Sequence, residues 1–376
     1  MAFTEIPVLD LSEARSENTK ADFLLKLRDA LLNVGFLYIK NAGIDQELYD
    51  RVCEAGIGFF DLPDEEKLQI EMKNKASFLG YSRADWREQL DLSTPHPLRK
   101  DTDPLYHNLL APNQWPRQES LPSFRDTLEE YMRQMSEVSM FFMSLIAESL
   151  DLPPTAFDDF FDADQQHKLK IVKYPDGGEG AGQGVGPHKD SMLTSYLLQA
   201  SPHRGLQAQN TKGEWIDCPP IRGTLVVAIG QGLEALTGGV CASTTHRVIS
   251  PKAGEGARFS IPFFQGVSYD AKFESMDVPD HLRALRKDVL DREGGRRDDV
   301  EFTFVKGKWS HLGEATLMNR IKSHPDVGER WYPTLLQQIR QQQADEAAAK
   351  QQDVSSVPQV DSASIPPASG QPIEAH

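Results

Sequence analysis

From Lys168 onward the chain breaks into short apolar runs, KIVKYP, MLTSYLLQA, GLQAQN, EWIDCPP, GTLVVAIG, THRVISP and RFSIPFF, separated by Gly, Pro, Asn and charged turn residues. Short runs at this spacing predict the strands of an antiparallel sandwich or barrel. The first third reads differently. IPVLDL and FLYIKN are strand-like, and ADFLLKLRDALLNVGF between them carries apolar residues at helical spacing with Gly35 as a stop. A helix over 46–60 and a short one opening at Leu62-Pro63-Asp64-Glu65-Glu66 follow. Between Pro122 and Leu150, the residues Phe124, Leu128, Tyr131, Met135, Val138, Phe142 and Leu145 step by four and three and mark one face of a long helix. A methionine and aromatic stripe of this kind is packing surface, so it is assigned to the scaffold. From residue 341 the chain is rich in Gln, Ser, Pro and Ala, which predicts a disordered tail after a frayed helix.

Charge excludes one class of partner. With 40 Lys+Arg against 56 Asp+Glu, the net charge of -16 is the opposite of a nucleic-acid footprint, and a small-molecule substrate is the expected partner. Cys53, Cys218 and Cys241 lack metal or redox spacing and suit a reducing compartment. The N-terminus lacks the layout of a signal peptide and no run approaches the length of a membrane span, so a cytoplasmic protein without membrane association is expected. Nothing in the sequence reports an oligomeric state.

The candidate chemistry follows a glycine-rich stretch, GGEGAGQGVGPHKD, at 177–190. Neither G-x-G-x-x-G nor G-x-x-x-x-G-K-[ST] is present, so a phosphate cradle is rejected in favour of a flexible approach to a strand. On that strand His188 and Asp190 would project to one side. His246, in STTHRVISP, is the candidate third ligand. Two imidazoles and one carboxylate on one face suit a non-haem Fe(II) site with open positions for co-substrate and dioxygen. H-x-D alone says little in a chain with 10 histidines. The second pattern is Arg258-Phe259-Ser260, in which a guanidinium beside a hydroxyl suits a carboxylate.

Together these motifs resemble the 2-oxoglutarate and Fe(II)-dependent dioxygenases of the isopenicillin N synthase-like family. IPVLDLS, NVGFLYIKNAGI, FFDLPDEEK and APNQWP are similar to the family's N-terminal part, and HKDSMLTSYLLQ, LVVAIGQGLEALTGG, TTHRV and RFSIPFF follow the order of its catalytic part. The resemblance implies an α+β fold dominated by a double-stranded β-helix (jelly-roll) core with flanking helices. It divides the chain into a mixed α/β N-terminal region at 1–120, a catalytic core with supporting helices at 121–340, and a tail at 341–376. It carries the metal triad onto His188, Asp190 and His246, and the clamp for the distal carboxylate of 2-oxoglutarate onto Arg258 and Ser260. Tyr174 matches the tyrosine of the family's N-x-Y-P motif, a further contact to the co-substrate, whereas Val172 replaces its asparagine. Ala228 and Gln231 depart from the V-N-x-G-D pattern of many members.

The implied activity is oxidation of a small organic substrate, by hydroxylation, desaturation or ring rearrangement, in specialised metabolism. Phe264, on the Arg258 face, is expected to wall the substrate pocket, with Tyr81 and Tyr196 as further candidates, and the glycines at 177–186 are read as a lid over its entrance. Two alternatives share the fold: an oxidase that does not use 2-oxoglutarate, and a catalytically silent binding module. A hydrolase is disfavoured, since no G-x-S-x-G elbow is present.

Overall fold

A computed structural model describes residues 2–84, 86–162, 166–177, 182–272, 276–292 and 311–355. Its strands are β1 (Val8–Asp10), β2 (Phe36–Lys40), β3 (Gly80–Ala84), β4 (Arg87–Ser93), β5 (Lys168–Tyr174), β6 (Val185–His188), β7 (Thr194–Gln199), β8 (Leu206–Gln209), β9 (Trp215–Asp217), β10 (Thr224–Ile229), β11 (His246–Val248) and β12 (Arg258–Phe264). An eight-stranded sheet runs β1-β2-β10-β7-β12-β5-β4-β3 and faces a four-stranded sheet ordered β6-β11-β8-β9. The central pairings are antiparallel, with Arg258 opposite Tyr174 and Phe264 opposite Lys168. This is the jelly-roll core expected from the sequence.

Alternation along the strands sorts side chains into two layers. Leu169, Ile171, Ile261 and Phe263 point out of the large sheet into the main core. Helices Glu17–Asn33, Gln46–Phe60 and Phe124–Ser149 cover that face. The stripe from Phe124 to Leu145 is buried throughout, as its spacing required. The other face of the sheet turns inward, where Val172, Tyr174, Leu206, Val226, Ala228 and Val248 form a smaller apolar cluster between the sheets.

The helix Glu17–Asn33 ends at Gly35, which takes φ +65° while its N–H donates to Ala30 O at 2.8 Å. A Cβ there would lie 2.0 Å from Ala242 O, so no larger residue fits this turn.

The hairpin β3–β4 has no counterpart in the sequence reading, yet it extends the large sheet through pairing of β4 with β5. Helices Leu312–Ser323, Pro325–Trp331 and Pro333–Ser355 follow, the first two and the start of the third packing on Phe78, Tyr106 and Tyr269. They bring Arg320 and His324 to the mouth between the sheets. The final helix runs to Ser355, and the remainder of the expected tail, 356–376, lies outside the described residues. Among the described residues no helix is long and apolar enough to cross a membrane, and the three cysteines are free.

Candidate metal and co-substrate site

The space between the sheets is a cavity of about 410 Å³, lined by His188, Asp190 and His246 at one side and by Ser260, Pro262 and Phe264 at another. That volume suits a small-molecule site. His188 is the last residue of β6 and pairs in register with His246 of β11. Asp190 does not continue the strand, as alternation had predicted, but lies in the turn beyond it. Hydrogen bonds explain the departure: Gln231 N–H donates to Asp190 O at 2.7 Å and Gly230 N–H to Leu193 O at 2.9 Å, drawing the chain off β6.

The three side chains nonetheless converge. Asp190 Oδ1 lies 3.7 Å from His188 Nε2 and 3.8 Å from His246 Nε2, and one ligand atom from each residue falls within 4.8 Å of the others. The tautomers are set by the backbone. His188 Nδ1–H donates to Gly186 O at 2.8 Å and His246 Nδ1–H to Thr244 O at 3.1 Å, because a carbonyl oxygen can only accept. Each Nε2 lone pair therefore faces the carboxylate and is available to a cation. Burial, reinforced by His246, pushes His188 down to about 4, so this ring is neutral near pH 7. Burial raises the Asp190 carboxyl, but the two histidines outweigh it and hold the acid below its ordinary range. Two neutral imidazoles and a carboxylate with no thiolate nearby form a donor set that fits Fe(II).

A second feature asks for an anion. Arg258 is 1% exposed, and burial pushes its guanidinium down. Nη2 donates to Gln199 Oε1 at 3.3 Å, while Nε and Nη1 are buried without a partner. A buried cation with two orphaned donors fits an incoming carboxylate. Its Cζ sits 5.1 Å from the ring of Tyr174, and both Tyr174 and Ser260 line the cavity, whereas Arg258 itself is not part of that wall.

Residues 166–267 match the 2OG-Fe(II) oxygenase superfamily, and residues 6–118 match the N-terminal family described as non-haem dioxygenase in morphine synthesis. The 2-oxoglutarate-dependent dioxygenase frbJ of Dothideomycetidae sp. (strain 11243) is 67% identical over 359 residues, covering 92% of this chain and 97% of that protein. The chain belongs to the 2OG-Fe(II) oxygenase superfamily. A 2-oxoglutarate-dependent dioxygenase of Gibberella zeae is 38% identical over 368 residues, 91% of this chain and 95% of its own. Among solved structures, a full-length Neurospora crassa protein in complex with alpha-KG and 5-formyluracil has a TM-score of 0.63 at 26% identity, covering 74% of this chain and 90% of that one. The oxygenase is thus an enzyme that uses Fe(II), 2-oxoglutarate and dioxygen.

Within the oxygenase, the candidate pocket residues separate. Phe264 lines the cavity. Tyr196 does not: Ser195 and Leu197 take the inward phase of β7, and Tyr196 points into the main core against Phe142 and Phe263. Tyr81 is likewise a core residue, edge-on to Phe59, with its hydroxyl donating to Glu88 at 2.7 Å. Val172 and Ala228, the departures from the family pattern, both stand in the cavity wall and make it more apolar. Missed by sequence reasoning were Gln89, Lys168, Lys170, Arg320 and His324, all cavity-lining. KLKIVKY held a usable signal, because its alternation puts Lys168 and Lys170 in phase with Tyr174.

The glycine-rich segment is described only in part. Residues 178–181 lie outside the described residues. Gly182 has open space around it, but a Cβ on Gly184 would lie 2.6 Å from Tyr174 Cδ1. Gly184 is therefore a close approach that seats the Tyr174 ring. Gly184→Ala is expected to raise the 2-oxoglutarate KM by roughly tenfold through displacement of Tyr174, since overpacking of this kind costs about 1–3 kcal/mol. Gly182→Ala should stay within about twofold, as exposed substitutions usually do. Steady-state kinetics in 2-oxoglutarate checks both, and equal effects would restore the lid reading.

Proposed function

We propose that His188, Asp190 and His246 hold the Fe(II), that Arg258 and Ser260 with Tyr174 bind the distal carboxylate of 2-oxoglutarate, and that the enzyme oxidises a small organic molecule of specialised metabolism. The observation that carries this reading is the meeting of three ligand atoms within 4.8 Å on the wall of one cavity. When bound, the iron couples decarboxylation of 2-oxoglutarate to succinate and carbon dioxide with oxidation of the substrate by dioxygen. The chain's own residues prepare that chemistry. His188 and His246 are held by Gly186 O and Thr244 O in the tautomer that offers Nε2. Phe36 packs against the His246 ring at 5.3 Å and fixes its plane. Val172, Leu197, Val226 and Ala228 keep the inner wall apolar, which excludes water and strengthens the ionic contact of Arg258 to its carboxylate. Phe264 bounds the space left for substrate.

The reading is tested by anaerobic titration of the protein with Fe(II) and 2-oxoglutarate, followed by an aerobic screen of small aromatic, terpenoid, polyketide and amino-acid-derived compounds. A visible charge-transfer band, then succinate formed in step with product, is the expected result. A substrate consumed with dioxygen but without succinate would favour the same-fold oxidase. Absence of the band would reject the assigned clamp and triad.

A further inference from the structure

The cavity has a second charged end that neither the metal triad nor the co-substrate clamp explains. Lys168 and Lys170 share the inward face of β5 with Tyr174, and Arg320 reaches the same region from the helix Leu312–Ser323. Asp91 pairs with Lys170 at 3.6 Å and with Arg320 at 3.2 Å. Lys168 Nζ donates to a neutral group, Leu109 O, at 3.0 Å. Lys170 and Arg320 therefore share the Asp91 carboxylate at the edge of the cavity, with the amine of Lys168 beside them, in a protein whose net charge is -16. Burial lowers Lys168 to about 7 and Lys170 to about 8, with Arg320 adding to the effect on both and Asp91 opposing it.

The missing anion is not the distal carboxylate of 2-oxoglutarate. Tyr174 faces Arg258 in register, and Lys170 and Lys168 stand four and six residues back along the strand. At about 3.3 Å per residue they lie roughly 13 and 20 Å from that pair. A further orphan stands between the two ends. Gln89 is 2% exposed and lines the cavity; its amide nitrogen donates to Asp91 Oδ2 at 2.9 Å, which fixes the amide orientation, and its Oε1 is buried without a partner. Gln89 is opposite Val172 and Asp91 opposite Lys170, so the orphaned acceptor is one side-chain step from the basic cluster.

We propose that the substrate carries a carboxylate bound by Lys170 and Arg320 with Lys168 behind them, and, about 7 Å or less from it, an N–H or O–H that donates to Gln89 Oε1. This rests on the proposed function, because it takes the Arg258 end to be filled by 2-oxoglutarate.

The test uses the full chain, loaded anaerobically with Fe(II) and saturating 2-oxoglutarate. N-acetyl amino acids are titrated beside their C-terminal amides, and binding is read from perturbation of the visible band. The acids should bind about tenfold or more tightly than the amides, as expected for charge-assisted contacts. Arg320→Gln should bring the two within about twofold of each other. Since Asp91 then keeps Lys170 as its only cation, the triple variant Asp91→Asn/Lys170→Gln/Arg320→Gln, which removes both carboxylate-binding cations with the acid they share, is measured as well and should behave alike. Equal binding of acid and amide by the wild type overturns the inference, as does an acid preference that survives in the triple variant. Failure of the underlying reading looks different, since the band itself would then not form.

Discussion

Replacing His246 by alanine is expected to abolish succinate formation, by roughly a thousandfold or more, because the metal's contribution of several kcal/mol is lost with its ligand. The effect should be confined to the site. His246 is buried, with its ring against Phe36 and His188, but it carries no backbone pairing that alanine could not make. The strand β11 would keep its register with Ala208 and His188. The fold therefore survives while the cluster drops from three donors to two. Iron content after loading and succinate yield measure the two parts of the result, and far-ultraviolet circular dichroism monitors the fold. A variant that retained stoichiometric iron and turned over within about tenfold of wild type would mean that the third ligand lies elsewhere.

The candidate triad was legible because metal-ligating residue types are few in these short segments. In THRVISP the histidine is the one side chain that commonly ligates a metal, and in VGPHKD a second histidine and an aspartate stand two apart, so chemistry picks them out before any geometry is known. The phase of a strand is harder to read when both faces are buried. MLTSYLLQA is apolar on each side, and nothing in it says whether Ser195 or Tyr196 faces inward; the structure turns Tyr196 toward Phe142. The hairpin β3–β4 was hidden for a related reason. REQLDLS alternates Gln89, Asp91 and Ser93 with Leu90 and Leu92, but only two apolar residues carry the pattern, and Arg87 and Glu88 precede them as on a solvated turn. What the sequence does not report is that the polar face, with Arg87 and Gln89, turns into a cavity and not into solvent. Arg320, arriving from a helix some 150 residues away from β5, could only be found in three dimensions (320 − 170 = 150).

Arg258 leads to a prediction whose two halves have opposite signs. Its guanidinium is almost wholly buried, with a hydrogen bond at 3.3 Å to a neutral amide oxygen and two nitrogens without a protein partner. Holding a cation in that state costs stability, so Arg258→Met, which keeps most of the volume and removes the charge, is expected to leave the free protein as stable as wild type or more stable by about 1 kcal/mol or more. The same change should raise the 2-oxoglutarate KM by roughly a hundredfold or more, since loss of one partner of a buried charge pair costs about 2–5 kcal/mol. Thermal melts with and without co-substrate separate the halves. At a hundredfold excess over its dissociation constant, 2-oxoglutarate should stabilise wild type by about 2.7 kcal/mol and the variant hardly at all. A variant that melted well below wild type without ligand, yet kept its 2-oxoglutarate KM, would make Arg258 a structural residue whose partner has been misidentified. If the melts instead cross as expected, the destabilised cation of the free enzyme is itself the device that makes co-substrate binding selective for a dicarboxylate, because only a ligand long enough to reach past Tyr174 with a second negative charge relieves it.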